Sequence, residues 1–293
     1  MNLLIENEFL KVEANAYGAE LHSIKTKNNV TEFLWSGDEN YWKYHAPILF
    51  PIVGKVSENK YRVDGNTYEL PQHGFGRVCN YEVIYKSQDS LEFLLKYNEK
   101  TLEIYPYKFS LKVKYTLINN SIKVSYTVDN LDDKDIHFSV GAHPAFLCSI
   151  EEGETIDDYY FEFSEKETAS IMELSPITGL YTNKNIPYLD NENKLLLSKE
   201  VFKNDALVFN NLKSTKIYLK SKNHNKYMSM DFSGFPYLGL WSKPTGAPFV
   251  CIEPWYGHAD YEGFTGEFKD REGVEKIEIG NTFECSYVLE FFS

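Results

Sequence analysis

Four runs set what this chain can fold into. YEVIYKS (Tyr81–Ser87), SLEFLLKYN (Ser90–Asn98), FSLKVKYTLIN (Phe109–Asn119) and SIKVSYTVDNL (Ser121–Leu131) are short and rich in β-branched and aromatic residues. Polar turns such as SQDS and NNS separate them. Such runs suit a pleated, half-buried surface. KYRVDGNTYEL (Lys60–Leu70) adds a hairpin around Asp64-Gly65, a pair that adopts positive φ cheaply. KIEIGNTFECSYVLEFF, near the end of the chain, reads as two more strands around Gly280-Asn281. Helical periodicity is scarce. DENYWKYHAP (Asp38–Pro47) reads as one helical segment, capped by Asp38 and stopped before Pro47, and KNDALVF has room for one turn. No linker, low-complexity run or repeat divides the chain. The expected architecture is all-β: a large antiparallel β-sandwich with few short helices, in a single domain over residues 1–293.

Composition narrows the partners. Hydrophobic residues make up 43% of the 293, which is ample for a large core without disulfides or metals. The net charge of −13 repels phosphate backbones and anionic lipid, so neither nucleic acid nor a membrane surface is an expected partner. The same charge weakly disfavours a phosphorylated substrate. The cysteines Cys79, Cys148, Cys251 and Cys285 are far apart with no CxxC spacing, and all four are expected to be reduced in a cytoplasmic protein. MNLLIENEFL has no basic flank and is not read as a signal peptide.

Three stretches stand out: ELPQHGFGR (Glu69–Arg77), FSVGAHPAF (Phe138–Phe146) and APFVCIEPWYG (Ala247–Gly257). In the second, period-two alternation puts Phe138, Val140 and Ala142 on one face, and Ser139, Gly141 and His143 on the other. Small residues beside an imidazole leave space for something else to fill. In the third, Val250 and Ile252 share one face while Phe249, Cys251 and Glu253 share the other. Both faces are apolar, so the strand is central and its carboxylate desolvated; Glu253 must be paired, or its pKa must rise. His143 and Glu253 each precede a proline, which favours extended backbone and removes a ladder donor. Both are therefore expected at strand ends. Gly74 and Gly76 beside His73 allow close approach of a ligand, or simply make a turn. Taken alone, each of these residues also fits a purely structural role.

Together, PQHGFGR, GAHPAF and LGLWSKPTGAPFVCIEPWYG, in this order, resemble the aldose 1-epimerase (galactose mutarotase) family in its LacX-like branch. YGAEL, LWSGDENYW and ILFPIVGKV fit the same branch, so the resemblance spans essentially the whole chain. It implies a β-sandwich with a carbohydrate cleft on one sheet. It implies Glu253 as general base, His143 as general acid, and His73 as a second active-site histidine. Asp205 would bind sugar hydroxyls, Arg77 would line the cleft, and Trp241 joins them as a sugar contact. Where the family usually carries arginine, this chain has Lys55, an ammonium without the bidentate fork.

The implied reaction interconverts the α and β anomers of a free aldose with no metal or other cofactor. A charged acid at neutral pH requires that nearby carboxylates hold up the pKa of His143, ordinarily about 6.5, which gives a bell-shaped pH profile. Other readings of the residues are a metal site built from His73, His143 and Glu253, a glycosidase using Asp205 and Glu253, a carbohydrate-binding or sensing protein, and a hexose-phosphate 1-epimerase. The expected partner is a small sugar, and the chain is expected to act as a monomer or homodimer.

Overall fold

The computed structural model describes residues 2–293. Its largest sheet has nine strands in the order Tyr181–Leu196, Tyr159–Leu174, Lys216–Ser221, Tyr227–Asp231, Thr282–Phe292, Ser121–Asn130, Phe109–Ile118, Ser90–Lys96 and Glu82–Lys86. The second sheet has six: Leu207–Phe209, Tyr237–Trp241, Phe249–Tyr256, Val140–Ala142 and Ile48–Leu49 in order, with Ala145–Leu147 also paired to Phe249–Tyr256. Every ladder in both sheets is antiparallel. Among the described residues no helix is long and apolar enough to cross a membrane.

The alternation in the sequence explains the ladders. Leu111, Val113, Tyr115 and Leu117 are buried between half-buried Lys112, Lys114 and Thr116. Their register partners Val128, Tyr126, Val124 and Ile122 are buried as well. Each such side chain contributes about 1.5–3 kcal/mol on burial. Val250 and Ile252 of the six-stranded sheet join the same core, and Phe50 meets Phe109 across it at 5.0 Å.

Local expectations fare unevenly. The Lys60–Val63 and Asn66–Glu69 hairpin forms around Asp64, which has φ 51°. All four cysteines are free. Asp38–Pro47 does not form the expected helix. It makes one turn in which Asp38 accepts from the Tyr41 and Trp42 amides, and its side chain accepts from Asn40. Trp42 of this stretch packs against Trp241 and Phe249 of the second sheet. The turn sought in KNDALVF begins upstream, as a 3-10 helix at Lys199–Phe202. A short α-helix at Glu99–Ile104, capped by Asn98 and Thr101, had no periodic signal.

Glu253 is also not at a strand end. Its strand runs through Pro254 to Tyr256, paired continuously with Tyr237–Trp241. On its other side the ladder is split. Ala145–Leu147 pairs as far as Cys251, and Val140–Ala142 resumes at Trp255. Pro254 lies beside this gap, where a ladder donor is not needed, and His143-Pro144 occupies the break opposite.

The indole of Trp255 lies over two glycines of the flanking strands. A Cβ on Gly141 would sit 2.5 Å from Trp255 Cδ1, and one on Gly239 2.6 Å from Cη2. Trp255 Nε1 donates to the Ala142 carbonyl at 3.2 Å. Gly239→Ala is expected to destabilise the fold by about 1–3 kcal/mol through overpacking, measured by chemical denaturation. Wild-type stability in this variant would show that the indole yields freely.

Candidate active site

Phe249, Cys251, Glu253 and Trp255 point away from the main core. Phe249 and Cys251 belong to a small apolar cluster with Trp35 and Ala145, and Trp255 to another with Leu49, Val53 and Val208. Glu253 stands between the two, 1% exposed. Among the described residues no lysine or arginine pairs with it; its partner is His143, with Nε2 3.2 Å from Oε2. Trp42 stacks on the His143 ring at 4.8 Å and 28°, while Trp241 and His73 meet it edge-on at 5.6 and 5.7 Å.

Burial decides the protonation of this pair. It pushes His143 down to about 3, with Arg77 adding to the effect. It pushes Glu253 well above the usual carboxylate range, and the charge of Asp205 pushes it further. The expectation that a carboxylate would hold His143 up is therefore reversed, because desolvation outweighs the adjacent acid. The two side chains hold one proton between them.

His73 is set by a backbone zipper between ILFPIVGKV and PQHGFGR. The Phe50 amide donates to the His73 carbonyl, the His73 amide to the Gly54 carbonyl, and the Phe75 and Gly76 amides to the Phe50 carbonyl. His73 has φ 65° and Gly74 φ 67°, and a Cβ on Gly74 would collide with the Phe50 backbone. Gly74 thus serves the turn and the close approach of backbone to backbone. Gly54 N–H donates to His73 Nδ1 at 3.1 Å, so a neutral ring carries its proton on Nε2. Burial, His143 and Arg77 all push the His73 pKa down.

Glu20 of YGAEL accepts from the His45 and Ala46 amides at 2.7 and 2.9 Å and so anchors the base of the Trp42 loop. Arg77 donates to the Gln72 carbonyl at 2.8 Å and lies 4.9 Å from the Tyr44 ring centre. Lys55 Nζ donates to the Thr178 carbonyl at 3.1 Å, bridging to the turn between the two longest strands. Asp205 is exposed, with φ 83°, a conformation rare for a residue with a side chain.

Glu253, His143, His73, Asp205, Arg77, Lys55 and Trp241 all line one cleft of about 490 Å³. The cleft also includes Trp42, Gln72 and Trp255, which the sequence reading left out of the site. The space that small residues open near His143 is not empty for a ligand, since the Trp255 indole fills it beside Gly141. The metal-ligand set of the alternative reading is not the one the side chains bring together. His143, Cys251 and Glu253 bring ligand atoms within 4.8 Å of one another, with Cys251 in place of His73. Cys251 precedes Glu253 by two residues on the same face, the one signal that could have found it.

A family model described as aldose 1-epimerase matches residues 1–272. The chain belongs to the aldose 1-epimerase family. Among curated members it is 36% identical to the chromosomal LacX protein of Lactococcus lactis subsp. lactis over 294 residues, covering 98% of each chain. Among solved structures it resembles a galactose mutarotase related enzyme from Lactobacillus acidophilus at 33% identity and TM-score 0.94, covering 100% of this chain and 98% of that one. A galactose mutarotase-like protein from Lactobacillus casei ATCC 334 matches at 30% identity and TM-score 0.94, over 100% of both chains. The fold of this aldose 1-epimerase family member is thus shared along its whole length.

Stacking by Trp42 helps exclude water from the imidazole of this family member. Trp42→Ala is expected to raise the His143 pKa from about 3 toward the ordinary imidazole range, read by NMR titration of the ring. An unchanged titration would assign the drying of the ring to other neighbours.

Proposed function

We propose that this protein is a mutarotase that interconverts the α and β anomers of a free aldohexose. The observation that carries the reading is the buried Glu253–His143 pair, 3.2 Å apart and open to a cleft of about 490 Å³. The C1 hydroxyl oxygen and the ring oxygen of a hemiacetal are bonded to the same carbon. Two groups this close can therefore address both oxygens together.

The shared proton is the one the reaction needs. With the proton on His143, Glu253 is a carboxylate and takes the C1 hydroxyl proton while His143 gives its own to the ring oxygen. The C1–ring oxygen bond breaks and an aldehyde forms. Glu253 is then protonated and His143 neutral, which is the arrangement that burial favours. Rotation about C1–C2 presents the other face of the carbonyl. On closure the hydroxyl returns its proton to His143, and Glu253 protonates the new C1 oxygen. Proton count is conserved through the cycle.

His73, with its proton on Nε2, donates to a sugar oxygen. Arg77 and Lys55 supply further donors and Asp205 an acceptor. Trp241 and Trp42 offer apolar faces to the sugar ring. Which aldose fits is set by these contacts.

Polarimetry on freshly dissolved α-glucose and α-galactose tests the reading. A positioned acid or base contributes roughly 10²–10⁴-fold, so Glu253→Gln is expected to lose at least about a hundredfold in rate. A variant as fast as wild type, or a wild type no faster than buffer, would leave a sugar-binding protein. The pH profile adds a second check. The pair gains a second proton only as pH falls toward the His143 value of about 3. Activity is expected to persist below pH 6.5, and a steep acidic limb centred at the ordinary imidazole value would count against this proton assignment.

A further inference from the structure

Cys251 is a fully buried free thiol that the proposed reaction does not use. Its sulfur, a Glu253 oxygen and a His143 nitrogen lie within 4.8 Å of one another. The chain builds this cluster from two sources. Cys251 and Glu253 project from the same face of one strand, two residues apart, and His143 enters from the break in the neighbouring ladder. All three are buried. His143 and Glu253 border the open cleft, so an ion reaching them retains an open coordination position.

We propose that Cys251, Glu253 and His143 form a site for a thiophilic divalent cation, zinc above all, and that its occupancy blocks the cleft's chemistry. Thiolate, imidazole and carboxylate are the three ligand types zinc takes, at about 2.3, 2.0 and 2.1 Å, with tetrahedral geometry. Such bond lengths separate the ligand atoms by roughly 3.5 Å, so modest side-chain rotations from the observed spread close the set. The sulfur selects zinc, cadmium or cobalt over magnesium and calcium, which prefer oxygen.

The surroundings fit an intermittent inhibitor better than a resident cofactor. A metal-ligating histidine almost always donates its second ring N–H to an acceptor that orients it. Here Nδ1 of His143 is buried without a partner among the described residues. The ion would engage Glu253 and His143, the side chains that hold the shared proton. Metal binding and turnover therefore exclude each other. The inhibitory half of this proposal rests on the mutarotase reading; the binding half does not.

Cobalt(II) reads the binding directly. Added to metal-free protein, it is expected to bind one equivalent per chain and to produce thiolate-to-cobalt charge-transfer absorption. Cys251→Ser is expected to abolish that band, and a Cys79→Ser/Cys285→Ser double variant to keep it. No band, or a band that survives Cys251→Ser, overturns the site whatever the catalytic activity proves to be. Should Cys251→Ser fail to fold, Glu253→Gln decides: cobalt affinity is expected to fall at least about tenfold, and unchanged affinity overturns the site. Zinc is then titrated into the polarimetric assay. The half-inhibitory concentration, relative to each protein's own metal-free rate, is expected to rise at least about tenfold in Cys251→Ser. Equal inhibition of both proteins, or equal inhibition by magnesium, overturns the inhibitory role.

Discussion

A carboxylate buried without a cation is the constraint around which this structure is arranged. Phe249–Tyr256 is central in its sheet, with the main core on one face and two small apolar clusters on the other. Glu253 must therefore sit in a dry place. Leaving a bare ion there would cost many kcal/mol, so the side chain holds a proton or shares one. An arginine partner would have fixed Glu253 as a permanent anion. Imidazole does not, because it exchanges the proton rather than neutralising the charge for good.

Bringing His143 to Glu253 requires a fault in the sheet. An unbroken ladder beside Glu253 would have filled that space with backbone. Two X-Pro steps, His143-Pro144 and Glu253-Pro254, meet where the pairing lapses, and the imidazole enters through the gap. The rest of the cleft is fastened to this seam by backbone hydrogen bonds. The zipper between Phe50 and Gly76 sets His73 beside His143, and Asp260 holds the Lys55 loop by accepting from Ser57 while it is paired with buried Arg271. Positions far apart in the chain thus depend on contacts made mostly by main-chain groups, which any sequence with the right turns can supply.

How much of this was legible depended on whether a residue carried a local signal. Period-two alternation located the strands, their buried faces and the dry position of Glu253, because side-chain direction in a strand follows from the pleat alone. The motif order carried the family. The Asp38–Pro47 stretch misled because Asp38 caps a single turn much as it would cap a helix, and nothing local separates the two. Pro254 misled because its missing donor matters only on a paired side, and the gap opposite is a tertiary fact. Trp42 carries no local signal for the same reason: its contact with His143 joins a loop to a strand break about a hundred residues away. The direction of the His143 shift is not legible locally, because the residues that dry the imidazole, Trp42 among them, come from other parts of the chain.

The Trp255 indole carries a consequence for how this sequence can vary. It occupies volume that Gly141 and Gly239 leave open, from strands on either side of its own. None of the three residues is suited to its place without the other two. An alanine at either glycine calls for a smaller ring, and a smaller ring leaves a void beneath the cleft that only larger flanking residues would fill. Effects of substitutions here will be strongly non-additive. A change at any one of the three is expected to be tolerated better when its neighbours change with it.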